Sequence, residues 1–418
     1  MEEMSRRALA SLVLVAAACG SNASGTGGTG GGQAGMGGGG SGGSVGSGGT
    51  GGSVRGGGSG GSVGSGGSGG GGGSGGSGGS GGGGGRSGAG GGAGGGGGAA
   101  TGGTGGAAGS AGGFLSTEYP RDVGIAADPR VLFASDFESG LTGWTRYTNN
   151  SSQIAVVTDA ALAHAGSNYL RAQVTRTQLG TNQNISANAQ YDFARRVPEV
   201  YWRFHTRFVG QTASPHHWVR VAAGTPGYGS DGLANTVPPG NQGFWFDLDA
   251  SQTKMFAFYV YWYKMRSGRC NDGSATPGCA GDQGTTYYYG NNFNPAAQAP
   301  FSADRWFCLE IRAKANAIGQ SDGELTLWKD DALVGEYKPG TPRGRWLRDN
   351  FYSWGQYFID EQGFDGFDFR SDADVLLKRV TLDAYYQADT LPASAPEAQV
   401  ILYDDVVIAT SRIGCRVP

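Results

Sequence analysis

From Val131 to Ala409 the chain alternates apolar and polar positions in short runs broken by Gly, Asn, Asp and Pro. The runs are VLFASDFE, QIAVV, YLRAQVTR, VYWRFHTRF, HWVRVAA, QGFWFDLD, FAFYVYWYKM, RWFCLEIRAKA, GELTLWKDD, ALVGEYK, LLKRVTLDAYY and VILYDDVVIA. A period of two belongs to strands, whose successive side chains point to opposite faces. Helical periodicity is scarce. The pattern predicts an all-β fold of two packed antiparallel sheets, a sandwich or jelly roll. SDGE at Ser321–Glu324 and KDDA at Lys329–Ala332 read as hairpin turns.

Three runs carry candidate chemistry. In FAFYVYWYKM, Phe256, Phe258, Val260 and Trp262 fall on one face, and Ala257, Tyr259, Tyr261, Tyr263 and Met265 on the other. The first face is apolar and wants a core. The second is a ladder of phenols with polar tips, suited to a sugar ring or a proton transfer. Lys264 and Arg266 follow at the strand's end. In VYWRFHTRF, Arg203, His205 and Arg207 alternate against Trp202, Phe204 and Phe208, a cationic row able to hold an anionic chain. Around HHWVR, strict alternation puts His216, Trp218 and Arg220 together and His217 with Val219. If the phenols line a groove, their hydroxyls point away from the core and lie near one of these cations. A solvated outer face is the plain alternative for the cationic row, and a Tyr-rich covering strand for the phenols.

Composition divides the chain. It has 418 residues, of which 84 are Gly. Most of the Gly lies in 20–113, which has almost no apolar side chains to bury and is expected to be a disordered tether. Its random-coil reach is roughly 50–60 Å. The remaining 114–418 is large enough for one all-β domain. Arg6 and Arg7 precede the apolar run ALASLVLVAAA, too short to cross a bilayer but suited to a signal peptide. Ala16-Ala17-Ala18-Cys19 resembles the bacterial lipoprotein cleavage box. The resemblance implies lipidation at Cys19 and a cell-surface or outer-membrane location, with plain secretion as the alternative. The net charge of −3 gives no footprint for nucleic acid. No transmembrane span is expected, and the domain is expected to be a monomer.

Export permits disulfides. After Cys19, four cysteines remain. Cys270 and Cys279 bracket the loop NDGSATPG and are expected to close it, which leaves Cys308 to pair with Cys415. Sequence alone allows three connectivities, and a zinc site is the alternative, although no C-x-x-C pair supports it.

No G-x-G-x-x-G before a helix, P-loop, H-E-x-x-H or G-x-S-x-G occurs, so nucleotide and Ser-hydrolase chemistry have no support. The order VYWRFHTRF, HHWVRVAAGTPG, QGFWFDLD, FYVYWY, RWFCLEIRAKAN, SDGELTLWKDDALVGEY and ILYDDVVIATSRIG resembles the concanavalin A-like jelly-roll polysaccharide lyases of the alginate-lyase and glucuronan-lyase type. The block from Trp306 to Tyr337 is the most specific, and the resemblance covers Val197–Gly414. It implies cleavage of an anionic uronate polymer by metal-independent β-elimination. A donor neutralises the sugar carboxylate, a base takes the adjacent ring proton, and an acid protonates the departing glycosidic oxygen. Certain lyases of this type carry a Tyr-x-Tyr pair matching Tyr259 and Tyr261, and a cation near His216, His217 and Arg220. They also carry a Lys before a Pro-Gly turn and a Ser/Arg pair on the next strand. This chain instead reads VAAGTPG and GFWFDLD.

The implied catalytic set is Tyr259, Tyr261, His216, His217 and Arg220. The implied sugar contacts are Arg203, His205, Arg207, Trp245, Tyr263, Lys264 and Arg266. Asp136 and Glu138 with Asp404 and Asp405 form an oxygen-rich set suited to a structural calcium between first and last strands; no cofactor is expected for catalysis. Two alternatives stand beside the lyase: a non-catalytic carbohydrate-binding or adhesion module, and a glycoside hydrolase using Asp247 and Asp249.

Overall fold

The computed structural model describes residues 113–415 apart from 230–233, 251–254, 283, 285–286, 298 and 356–361. Residues 1–19, read from sequence as a signal peptide ending at Cys19, and the Gly-rich segment through residue 112 lie outside the described residues. The strands are β1 Val131–Ser135, β2 Arg146–Tyr147, β3 Ile154–Thr158, β4 Asn168–Thr175, β5 Asn184–Val197, β6 Glu199–Phe208, β7 Val219–Gly224, β8 Gly243–Ala250, β9 Phe256–Tyr261, β10 Asn291–Asn294, β11 Phe307–Lys314, β12 Glu324–Lys329, β13 Ala332–Tyr337, β14 Arg345–Leu347, β15 Asn350–Tyr352, β16 Leu376–Gln387 and β17 Ala398–Ala409.

They form the expected two-sheet sandwich. The smaller sheet has eight strands, ordered β13-β12-β11-β6-β17-β4-β3, with β1 added to β17. The larger has nine, ordered β14-β15-β10-β9-β8-β7-β16-β5-β2. Pairing is antiparallel except for β10 with β15. The predicted turn between β12 and β13 is tight, with Asp330 and Asp331 at φ 50° and 63°, the left-handed pair that matches strand twist. SDGE is not a tight hairpin; it ends the longer connection 315–323 between β11 and β12.

The two inner faces fill the core with aromatic side chains. Trp202, Phe204 and Phe208 of β6 meet Phe246 and Phe258 of the larger sheet, all essentially inaccessible to solvent. Trp218 packs between the sheets beside Phe208 and Phe256, and its indole nitrogen donates to the Tyr403 hydroxyl at 2.8 Å. A buried Trp keeps such a partner because an unpaired N–H there is costly.

Segment 113–130 runs over the outer side of the smaller sheet. Leu115 and Ile125 join Val407, Ala409 and Ile413 in a second apolar cluster, and the backbone N–H groups of Leu115 and Ser116 donate to the carbonyls of Arg412 and Ile413. Ile413 and Gly414 are held on the same side. Glu310, fully buried on β11, accepts from the backbone N–H groups of Ile413 and Gly414 at 2.7 and 3.0 Å, and burial pushes its carboxyl upward.

Both expected disulfides, Cys270–Cys279 and Cys308–Cys415, are present. The second joins positions 107 apart in sequence, so it removes a large share of unfolded-chain freedom. Replacing Cys308 and Cys415 together by Ser is expected to lower unfolding free energy by about 2–4 kcal/mol, read as a shifted urea midpoint. An unchanged midpoint would refute the clamp.

Candidate functional site

The candidate site is built by register. Across the larger sheet, Thr381 of β16 pairs Arg220 of β7, Arg220 pairs Asp247 of β8, Asp247 pairs Tyr259 of β9, and Tyr259 pairs Asn292 of β10. Facing residues in a pleated sheet share one side, so these five form a row on the side away from the core. Ala222, Trp245 and Tyr261 form the adjacent row. Val221, Phe246, Phe258 and Phe293 take the opposite side and are buried. The aromatic strand thus divides its faces as its alternation predicts.

His217 departs from alternation. Trp218 and Val219 are both buried, β7 begins only at Val219, and His217 makes an isolated bridge to Tyr385. His217 therefore stands with Arg220, and Trp218 enters the core, correcting the grouping read from sequence. The physical cause is the demand for Trp218 between the sheets, which outweighs regular pleating of a strand end.

At the centre, the His217 ring stacks between Tyr259, 4.9 Å away between centroids, and Tyr385, 5.8 Å away. Its Nδ1 lies 3.3 Å from Asp249 Oδ2 and 3.6 Å from Asp247 Oδ2. Burial pulls the His217 pKa down, but the charges of Asp249 and Asp247 outweigh it and the net direction is up. Burial also raises Asp249, so this pair takes up a proton more readily than either group free. Arg220 is fixed by Asp247, with Nε to Oδ1 at 2.6 Å and Nη2 to Oδ2 at 3.0 Å. His216, 4.4 Å from His217 between centroids, is pushed down to about 4 by burial and by the His217 charge.

The two phenols meet at 3.5 Å between hydroxyl oxygens. Burial raises both above the usual phenol range. The cation expected to make one of them a base does not outweigh burial, so at neutral pH both are proton donors. Trp245 is buried and stacks on Tyr261 at 4.5 Å, which makes it a support for that phenol rather than an exposed sugar platform. Gly290 permits the chain to close over the ladder, since a Cβ there would lie 2.5 Å from the Tyr259 ring. A pocket of about 300 Å³ opens beside it, lined among others by His216, Asp249, Ala257, Asn292 and Asn294.

Several expected sugar contacts lie elsewhere. Arg203, His205 and Arg207 belong to β6, in the other sheet. Arg203 and His205 are buried; Arg203 is ion-paired to Asp122 and Arg207 to Asp304. These partners place Arg203 and Arg207 in ion pairs of the smaller sheet, away from the Tyr259 face. β9 ends at Tyr261, and Tyr263, Lys264 and Arg266 leave the ladder. Lys264 pairs with Asp368, and Arg266 lies over the Trp346 ring while donating to the Arg348 carbonyl.

The carboxylates expected to hold calcium do not form one donor set among the described residues. Asp136 accepts from the Glu138 backbone N–H, Glu138 from those of Ser167 and Asn168, and Asp404 from those of His164 and Ala165. The convergent sets of three are His217–Asp247–Asp249 and His164–His205–Asp405. The Arg220 guanidinium on Asp247 disfavours a cation at the first.

Sequence reading missed Asp383, Tyr385, Asn292 and Asn294. Asp383 accepts from Ser186 Oγ at 2.7 Å, and burial pushes it up to about 7 with Arg220 opposing. Alternation of Thr381, Asp383 and Tyr385 in LLKRVTLDAYY was the available signal, but nothing local says which strand β16 joins.

No protein-family model matches the chain, and no curated protein does. Among solved structures it is similar to the endo-β-1,4-glucuronan lyase of the fungus Trichoderma reesei, at 15% identity and TM-score 0.41, covering 67% of this chain and 96% of that one. It is also similar to the PL-14 alginate lyase from Aplysia kurodai, at 13% and 0.44, covering 67% and 99%. A third is the alginate lyase vAL-1 from Chlorella virus, at 15% and 0.41, covering 67% and 100%. These three structural neighbours are polysaccharide lyases of the jelly-roll type, at low identity.

Proposed function

We propose that the open face of the larger sheet binds an anionic, uronate-containing polysaccharide and cleaves it by β-elimination using side chains alone. The observation that carries this reading is the stack of Tyr259 on His217, with the Tyr261 hydroxyl 3.5 Å from that of Tyr259. It brings a titratable base and two neutral phenols together on the outer side of the larger sheet. Neutral His217 takes the ring proton next to the sugar carboxylate. A phenol, held protonated by burial, gives its proton to the departing glycosidic oxygen. Arg220 and the amides of Asn292 and Asn294 supply donors for the carboxylate, whose charge grows in the transition state.

The two disulfides fit an extracytoplasmic protein. No helix among the described residues is long and apolar enough to cross a membrane. Lipidation at Cys19 belongs to the same proposal, and the lipid mass on the mature N-terminus of membrane-fraction protein tests it.

The hydrolase alternative is weaker on geometry. Asp247 and Asp249 sit on one strand, their facing oxygens within 4.8 Å, and both are engaged by Arg220 and His217. A hydrolase needs carboxyls flanking the bond from two sides. The deciding assay offers alginate, glucuronan, pectate and glycosaminoglycans and follows ultraviolet absorbance of unsaturated uronate ends. Absorbing product on one polymer is expected. Binding without product would replace the reading with a binding module, and new reducing ends without unsaturation would replace it with a hydrolase.

The base assignment has a pH signature. His217 works when deprotonated, and its pKa is raised above the usual 6.5. Activity is therefore present above that raised value and lost as pH falls through it. Asp249→Asn removes the nearer of the two carboxylates that raise it, so the acidic limb of kcat/KM should move to lower pH. A limb that stays in place would take the base role from His217.

A further inference from the structure

We propose that His164, His205 and Asp405 form a binding site for a divalent transition-metal ion, zinc foremost, on the outer side of the smaller sheet. The site is separate from the Tyr259 face and does not rest on the lyase reading. His205 comes from the middle of β6. Asp405 comes from β17, where pairing with β6 shifts between Asp404 and Val407. Asp405 has φ 46°, a left-handed backbone that residues with a Cβ seldom adopt. The bulge places two consecutive carboxylates, Asp404 and Asp405, below the connection between β3 and β4 that carries His164.

One donor atom from each of the three residues lies within 4.8 Å of the others. His164 Nδ1 is 2.6 Å and His205 Nδ1 3.9 Å from Asp405 Oδ2, and the imidazoles stack at 3.8 Å between centroids. Zinc holds N and O donors at about 2.0–2.2 Å in a tetrahedron, which sets neighbouring donors about 3.4 Å apart. That spacing falls between the two distances found. Entry of the ion replaces the His164–Asp405 contact and turns the rings apart, with both imidazoles bound neutral.

The surroundings hold the donors in place. Asp404 accepts the backbone N–H of His164 at 3.0 Å and of Ala165 at 3.3 Å. Trp306 donates its indole N–H to the Leu162 carbonyl at 2.9 Å and sets its ring edge-on to His164. These contacts fix the backbone of the connection that carries His164. The flanking cations Arg203 and Arg207 are ion-paired to Asp122 and Asp304, and Asp405 supplies the one charged ligand. Two imidazoles with one carboxylate form a borderline donor set that suits zinc, cobalt or nickel, whereas calcium takes oxygen alone. The bound ion would staple the β3–β4 connection to β6 and β17.

The test titrates the chelator-treated full chain with Co²⁺ and then Zn²⁺. Expected are one equivalent bound, the visible absorption of low-symmetry four-coordinate Co²⁺ with a water as fourth ligand, its bleaching by Zn²⁺, and a rise in Tm with Zn²⁺. His164→Gln and His205→Gln should each weaken binding by at least about 10–100-fold, whereas His217→Gln should leave it unchanged. Near-ultraviolet circular dichroism of the metal-free variants checks that they fold; an unfolded His205→Gln leaves the decision to His164→Gln, whose residue sits in the connection. Absence of stoichiometric binding by the unmutated chain overturns the proposal. So does binding that survives in folded His164→Gln, or that is lost in His217→Gln, which would place the ion in the other cluster.

Discussion

Replacing Tyr259 by phenylalanine is expected to lower turnover by about 10²–10⁴-fold, the usual contribution of a general acid or base, while unfolding stability stays nearly constant. The ring contacts survive the change: the stack on His217 and the edge contact to Tyr261 at 5.5 Å involve carbon faces. What is lost is the hydroxyl, which meets that of Tyr261 at 3.5 Å. Burial raises the phenol pKa, so a base role would require deprotonating a group the site keeps neutral. Its proton is available instead to the leaving oxygen. The acidic limb of the pH profile belongs to His217 and should stay in place in Tyr259→Phe. Measured kcat together with Tm checks this. Unchanged turnover at unchanged Tm would reduce Tyr259 to a packing ring.

Removing Asp122 is expected to destabilise the fold by about 3–5 kcal/mol, the cost of breaking a buried ion pair from one side. Arg203 is fully buried, and its Nη2 lies 2.5 Å from Asp122 Oδ2. Asp122→Ala leaves a guanidinium under protein with its hydrogen-bonded carboxylate gone. Arg203→Met removes the charge as well and fills similar volume, so the double variant should recover much of the loss. Denaturant titration of both singles and the double measures the coupling. Glycan affinity should be unaffected in all three, because β6 lies in the sheet opposite Tyr259. A cost for Asp122→Ala below about 1 kcal/mol would class the pair with exposed ones. A loss of glycan binding in folded Arg203→Met would return the cationic row to the groove.

The strands, the two faces of β9 and both disulfides were legible in the sequence, because each is written in short-range terms. FAFYVYWYKM shows its own period, and two cysteines bracketing a short loop limit their own choices. The shared outer face of Tyr259 and Tyr261 was legible for the same reason. VYWRFHTRF has an equally clear alternation, yet its polar row proved structural. A period of two says that a strand has two faces; it does not say which sheet the strand joins or what covers the outer one. Segment 113–130, far from β6 in sequence, decides that by placing Asp122 on Arg203. His217 stands beside Tyr259 because Trp218 is needed between the sheets, and that need exists only once both sheets are packed. Asp247 and Asp249, read as hydrolase candidates, became the groups that fix Arg220 and raise His217 when β8 paired with β7. The sequence by itself determined the strands and their faces, through local stereochemistry and patterning. Which faces meet, which charges are buried, and which pKa values shift were decided by the tertiary structure, because pairing and desolvation depend on residues far apart along the chain.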